Sequence, residues 1–180
     1  MSIVKVRAAM MSGYATANLG LVSAHENVKF TQPVNSLWAE VFYMPGVPTM
    51  ASLGAEGEDD LQGYLQVNIN APLGKGSGAA MAKAEQLRAF FYGGRTFIYQ
   101  GQPVTIKTTG TKAGIPTDSC YKVPTVINFY ARIPRVVVTD PAVTDWLSYL
   151  EEENADSFVR LAEVVNTYLE LHLNSFTAPN

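Results

Sequence analysis

The alternation of apolar and polar residues is clearest in GYLQVNINA (63–71). There Leu65, Val67, Ile69 and Ala71 fall on one side and Tyr64, Gln66, Asn68 and Asn70 on the other. A period of two predicts a strand with one face on a core. A helical period appears in 2–17, where Ile3, Val6, Met10 and Tyr14 share a side, and Asn18 and Gly20 suit the end of a helix. It returns at 77–92 as the stripe Met81, Ala84, Leu87 and Phe91, closed by Gly93-Gly94. SLWAEVFY (36–43) is rich in strand formers and stops at Pro45, Gly46 and Pro48. TFIYQ and PVTIKTT flank Gln100-Gly101-Gln102, which predicts a hairpin. A long strand is expected over 120–132, and Pro124 within it suggests a sheet edge or a bulge.

Two helices are expected in the remainder of the chain. One opens with Asp140 as N-cap and Pro141 at the first helical position; the other, 154–173, carries Phe158, Leu161, Val165, Tyr168 and Leu169 on one stripe. Hairpin-like strands with an inserted helix predict an α+β fold, a mainly antiparallel β-sheet flanked by helices with a C-terminal two-helix extension. Segment 49–62, with its two glycines and its acids Glu56, Glu58, Asp59 and Asp60, is expected to be a mobile loop.

Charge supports a division of the chain. Residues 1–135 hold twelve Lys/Arg and eight Asp/Glu, whereas residues 136–180 hold Arg160 alone against eight acids. An α+β domain over 1–135 and an acidic helical extension over 136–180 are therefore expected. Only 16% of all residues are charged, against roughly 25% in ordinary soluble domains. Such a chain either exposes apolar surface or covers it with partners, and the composition favours partners.

The single cysteine, Cys120, allows no intrachain disulfide, and two distant histidines, His25 and His172, are poor material for a metal site. The first twenty residues do not read as a signal peptide, since Lys5 and Arg7 interrupt their apolar run. No stretch approaches the roughly 20 apolar residues of a membrane-spanning helix. The expectation is a protein made and kept in a reducing cytoplasm, or exported inside a larger particle.

Motifs that could carry chemistry are weak. LGKGSG (73–78) places a Gly-rich turn and Lys75 before a helix, as a phosphate site would. Gly76 follows Lys75 where a nucleotide-binding P-loop needs Ser or Thr, and no acid lies between Glu85 and Asp118 to complete a dinucleotide fingerprint. The expected reading is a turn whose Ser77 caps the helix. The acids at 56–60 lack the ligand spacing of a calcium loop and read as a solvated or partner-facing segment. His25-Glu26 has no nucleophile nearby, and Cys120 reads as a partly buried structural residue. Bases in 1–135 are spread singly, which argues against sequence-specific nucleic-acid binding. Neither a catalytic centre nor a cofactor is expected. A small nucleotide-dependent enzyme built on LGKGSG is the weakest alternative.

The order of segments carries more information than any one motif. HENVKF (25–30), SLWAEVFYMPGVPTMASLG (36–54), GYLQVNINAPLGKGSGAAMAKAEQL (63–87), FFYGGRTFIYQGQPVTIKTTG (90–110) and DSCYKVPTVINFYARIPR (118–135) together resemble the phage tail terminator-like family of small α+β proteins. The resemblance spans 1–135; the acidic segment after Arg135 is longer than that family's core. It implies a virion protein that forms a ring, typically a hexamer, at the head-proximal end of the tail tube. There it would stop growth of the tube protein and present a surface to the head-completion or neck protein, while DNA passes through the lumen. It also implies assembly in the host cytoplasm and no membrane. Another head–tail joining component of similar fold is the alternative. Expected contacts, taken from composition, are Glu56, Glu58, Asp59 and Asp60 in the acidic loop, Gln100 and Gln102 at the hairpin tip, and Lys112 in loop 110–118. Pro124 on an edge strand would serve ring contacts. Phe158, Leu161 and Val165 in the C-terminal segment would pack on a neighbouring subunit or decorate the ring exterior, and an intramolecular cap on the same subunit is the alternative.

Overall fold

The computed structural model describes residues 3–135. The first helix, α1 (Ile3–Ala17), turns Val6, Met10 and Tyr14 into the core, while Ile3 stays exposed. Asn18 ends it with φ 43° and its N–H bonded to the Ala15 carbonyl, and Gly20 follows at φ 67°. Left-handed residues are what an Asn and a Gly supply at a helix C-terminus.

Four strands follow: β1 (Val22–His25), β2 (Trp38–Pro45), β3 (Thr49–Met50) and β4 (Glu58–Ala71). Beyond them come α2 (Gly78–Phe90), β5 (Thr96–Tyr99), β6 (Gln102–Thr111), β7 (Ile115–Pro116) and β8 (Tyr121–Pro134). The sheet runs β1-β2-β4-β8-β6-β5, with β3 added to β4 and β7 to β8. All pairs are antiparallel except β1 with β2. The mainly antiparallel sheet and the helices flanking it agree with the sequence expectation. The expected C-terminal helices lie outside the described residues.

Both helices pack on one sheet face, α2 over β4, β6 and β8, and α1 over β5 and β6. The core face alternates as a strand must, with Leu61, Leu65, Val67, Ile69 and Ala71 from β4 opposite Val123, Ile127, Phe129, Ala131 and Ile133 from β8. Ala80, Ala84 and Leu87 of α2 close it with Phe91 at the helix C-cap, whereas Met81 points outward. The stripe is thus rotated by one residue at its start. Gly13 allows α1 to lie against the Phe97 ring, where a Cβ would sit 3.0 Å from two ring carbons.

The sequence expectation fails at several points, each for a tertiary reason. Residues 58–60 are strand, because β8 runs far enough to pair Glu58 with Pro134 and Asp60 with Arg132. β1 lies in a stretch for which the sequence predicts no element; its four residues pair with β2. Pro124 sits in an interior strand between β4 and β6. Its carbonyl accepts from the Lys112 N–H on the β6 side, so its missing donor faces that side too, just where β6 leaves the ladder after Thr111. Ser77 holds the N-cap position of α2, but its side chain makes no capping hydrogen bond.

Candidate assembly surfaces

Strand pairing sorts the exposed loops into two groups. At one end of the sheet, β4 begins and β8 finishes, and the side chain of Gln102, at the start of β6, donates to the Arg132 carbonyl at 2.9 Å. Loop 46–57 and the β5–β6 turn therefore share this end. At the other end Ala71 pairs with Tyr121, which pairs with Pro116, so loops 72–77 and 112–120 lie together there.

The first end is built around arginines of β8 and its exit. Arg132 reaches Asp60 at 3.2 Å and Glu58 at 3.5 Å across the β4–β8 ladder. Arg135 does more. Its Nε meets Asp59 Oδ1 at 2.7 Å, its Nη1 donates to the Gly54 carbonyl at 2.6 Å, and its Nη2 donates to the carbonyls of Ser52 at 2.9 Å and Glu58 at 3.2 Å. Its backbone N–H bonds the Gly57 carbonyl. A planar guanidinium with several fixed donors is the one side chain suited to gather three carbonyls and a carboxylate. The Ser52 hydroxyl accepts from the Glu58 N–H at 2.7 Å, and a Cβ on Gly57 would lie 2.7 Å from that oxygen. Segment 51–58 is thus a clasped loop. Glu58, Asp59 and Asp60 spend their charge within the fold, and Glu56 stays exposed. Val47, Met50 and Leu53 are 85%, 66% and 90% exposed.

The hairpin tip is narrower than expected. Gln100 and Gly101 both have positive φ, 46° and 79°, as the two-residue turn between twisted strands requires. Gln102, expected at the surface, is fully buried and donates to the carbonyls of Pro103 and Arg132. At the opposite end Lys112 is exposed, and the Tyr121 hydroxyl packs where Gly114 lacks a side chain. Gly74 and Gly76 hold positive φ in the turn before α2.

The sheet face away from the helices carries two adjoining hollows of about 520 and 550 Å³. Both are walled by Tyr64, Thr108 and Asn128. One extends to Met44, Gly46, Gln62, Lys107 and Phe129, the other to Gln66, Thr111, Lys112 and Val126. A register shift between Ile106 and Thr108 sets Lys107 on this face, where its Nζ bonds Gln62 Oε1 at 3.0 Å. Part of the same face is covered, since Phe30 packs on Trp38 with ring centroids 5.1 Å apart. Asn68 is buried there, donating to Glu40, which also pairs with Lys122 at 2.8 Å.

Several other titratable groups form structural contacts. Glu26 accepts the Tyr43 N–H and lies 3.7 Å from Arg7. Burial pushes the Tyr43 hydroxyl up to about 12, partly opposed by the Arg7 charge. Burial raises Tyr14 too, partly offset by its hydrogen bond with Ser23. Cys120 is buried, its Sγ 3.6 Å from Asn70 Oδ1. Among the described residues no three His, Cys, Asp or Glu side chains are grouped as metal ligands. Glu56, Gln100 and Lys112 remain accessible, Gln102 and Pro124 do not, and Phe158, Leu161 and Val165 lie outside the described residues. The Arg135 clasp and the hollows escaped the sequence reading; the only signal was an arginine at the end of a strand facing a run of acids.

Comparison with known proteins places this geometry. No curated protein matches the chain. Six chains of solved structures do. One of them, a protein carrying no functional description, aligns over 74% of this chain and 97% of its own length, with 25% sequence identity and a TM-score of 0.61. The sequence profile of the phage tail terminator protein matches residues 5–129, from α1 through most of β8. The chain belongs to the phage tail terminator protein family and is a structural component of a phage tail.

Proposed function

We propose that this protein caps the head-proximal end of the tail tube as a ring of identical subunits, stops addition of tube protein, and offers its other side to the head-completion or neck protein. The family match over residues 5–129, from α1 into β8, carries the reading. The fold supports it through the segregation of exposed loops to opposite ends of one sheet, which gives a subunit two separate axial surfaces. Loop 46–57 and the β5–β6 turn form one; loops 72–77 and 112–120 form the other. Side-to-side contacts between different patches close into a ring when the rotation permits, and six copies are the number proposed. Recognition of this kind needs shape and pairing complementarity and makes or breaks no covalent bond.

Within the ring the acidic segment 136–180, with Phe158, Leu161 and Val165, is assigned to contact with a neighbouring subunit. The test is to mix the purified protein with cognate tail tubes and view them by negative-stain electron microscopy. Density at one tube end only, with elongation halted there, is the expected result. Binding along the tube wall, or none, would replace the terminator role with that of another neck component.

A further inference from the structure

We infer that the trough on the open sheet face receives the acidic segment 136–180 of a second copy. This rests on the ring reading above and names the contact within it. The two hollows share the Tyr64, Thr108 and Asn128 walls and form one continuous depression on the side opposite α1 and α2. Its charged lining residues are Lys107 and Lys112, and no Asp or Glu lines either hollow. Its floor supplies apolar contact through Met44 and Val126.

A ligand for such a surface is acidic with apolar side chains between its charges. The sequence contains one such stretch outside the described residues, with eight acids against one base and with Phe158, Leu161 and Val165 at spaced positions. The body, by contrast, is net basic and spends five of its acids on arginine pairs within its own fold, namely Glu26, Glu85, Glu58, Asp59 and Asp60. Opposite charges steer the encounter, and the apolar floor supplies the area that charge alone does not. The segment is long, since Phe158 lies 23 positions beyond Arg135 and an extended chain spans up to about 3.3 Å per residue. A segment lent to the neighbour links every subunit to the next around the ring.

The experiment places one cysteine in each partner. Chains bearing Thr108→Cys and chains bearing Val165→Cys are made separately in full length, mixed under oxidising conditions, and scored for a disulfide-linked pair. Wild-type protein, whose Cys120 is buried, sets the background. The mixture is run free at high protein concentration and again on tail tubes, with particle mass measured on the same samples. Cross-linked pairs above background in either setting are expected, falling several-fold when Lys107→Glu and Lys112→Glu are added and falling again at high salt. Rings without the cross-link would overturn this contact and leave the ring reading standing; neither rings nor cross-link would overturn both. A chain carrying both cysteines that links only to itself, as a monomer on a denaturing gel, would show an intrachain cap and likewise overturn it.

Discussion

At the residue scale, Arg135 is the side chain on which most depends. It binds one carboxylate and three carbonyls that would otherwise belong to a free loop. Removing it as Arg135→Ala strands these acceptors beside Asp59, and a loss of about 2 kcal/mol is expected in urea unfolding. Amide exchange should rise in 51–58 and stay unchanged in α2. Arg135→Lys should recover little, because an ammonium cannot span the same set of acceptors. Tyr43 makes a different prediction. Its hydroxyl is buried without a partner and titrates near 12, against 10 in the unfolded chain. Between those values the unfolded state has lost the proton and the folded state has kept it. Stability is therefore full below pH 10 and declines as pH rises toward 12, by an amount on the order of 2 kcal/mol. Tyr43→Phe should flatten that decline and cost little at neutral pH, since no hydrogen bond is lost; thermal melts across the alkaline range read both effects.

Among the elements, the β2, β4 and β8 strands leave no room for a side chain at Gly63. A Cβ there would lie 2.7 Å from the Met44 carbonyl, 2.8 Å from Phe129 Cζ and 3.0 Å from Pro45 Cα. Phe129 cannot yield freely, because it stacks on Tyr43 with ring centroids 5.6 Å apart. Gly63→Ala should cost about 1–3 kcal/mol, seen as a lower Tm, through strain in a full core. This scale also shows what local patterning can convey. The alternation in 63–71 and the Gln100-Gly101 turn were legible because their causes are local: a period of two, and a pair of residues that accept positive φ. β1 was not legible, since four residues without a strong apolar pattern become a strand only when β2 lies beside them. The acids at 58–60 looked like loop because their partners, Arg132 and Arg135, stand more than seventy positions away. Pro124 and Gln102 misled for a related reason. Each is fixed by one remote backbone group, the Lys112 N–H and the Arg132 carbonyl respectively.

For the whole molecule, the ordering of segments spoke for the family before any single residue spoke for a site. Surfaces for assembly leave little trace in sequence, because they are read from what remains exposed once everything else has packed. Val47, Met50 and Leu53 are the plainest case: apolar residues held outward on β3 and the segments that flank it. Changing all three to Ser should leave the melting temperature within about 1–2 °C, because surface changes away from special features are small. The same variant should lose most of its binding to tube ends or neck protein, measured by co-sedimentation. Full binding would remove loop 46–57 from the axial surfaces.

The position of the Arg135 clasp also has a mechanical meaning. Any pull on the chain beyond residue 135 arrives first at a residue bonded through its side chain and its own N–H to segment 52–59. The load passes into the start of β4 as well as along β8, two strands joined by a ladder of fourteen paired positions. Loading both strands together at this end draws them the same way, so no opening force acts across the first pairs of that ladder; pulling β8 alone would peel it open one pair at a time. A subunit tethered through its C-terminal end is thereby protected from unzipping at the point where the tether begins.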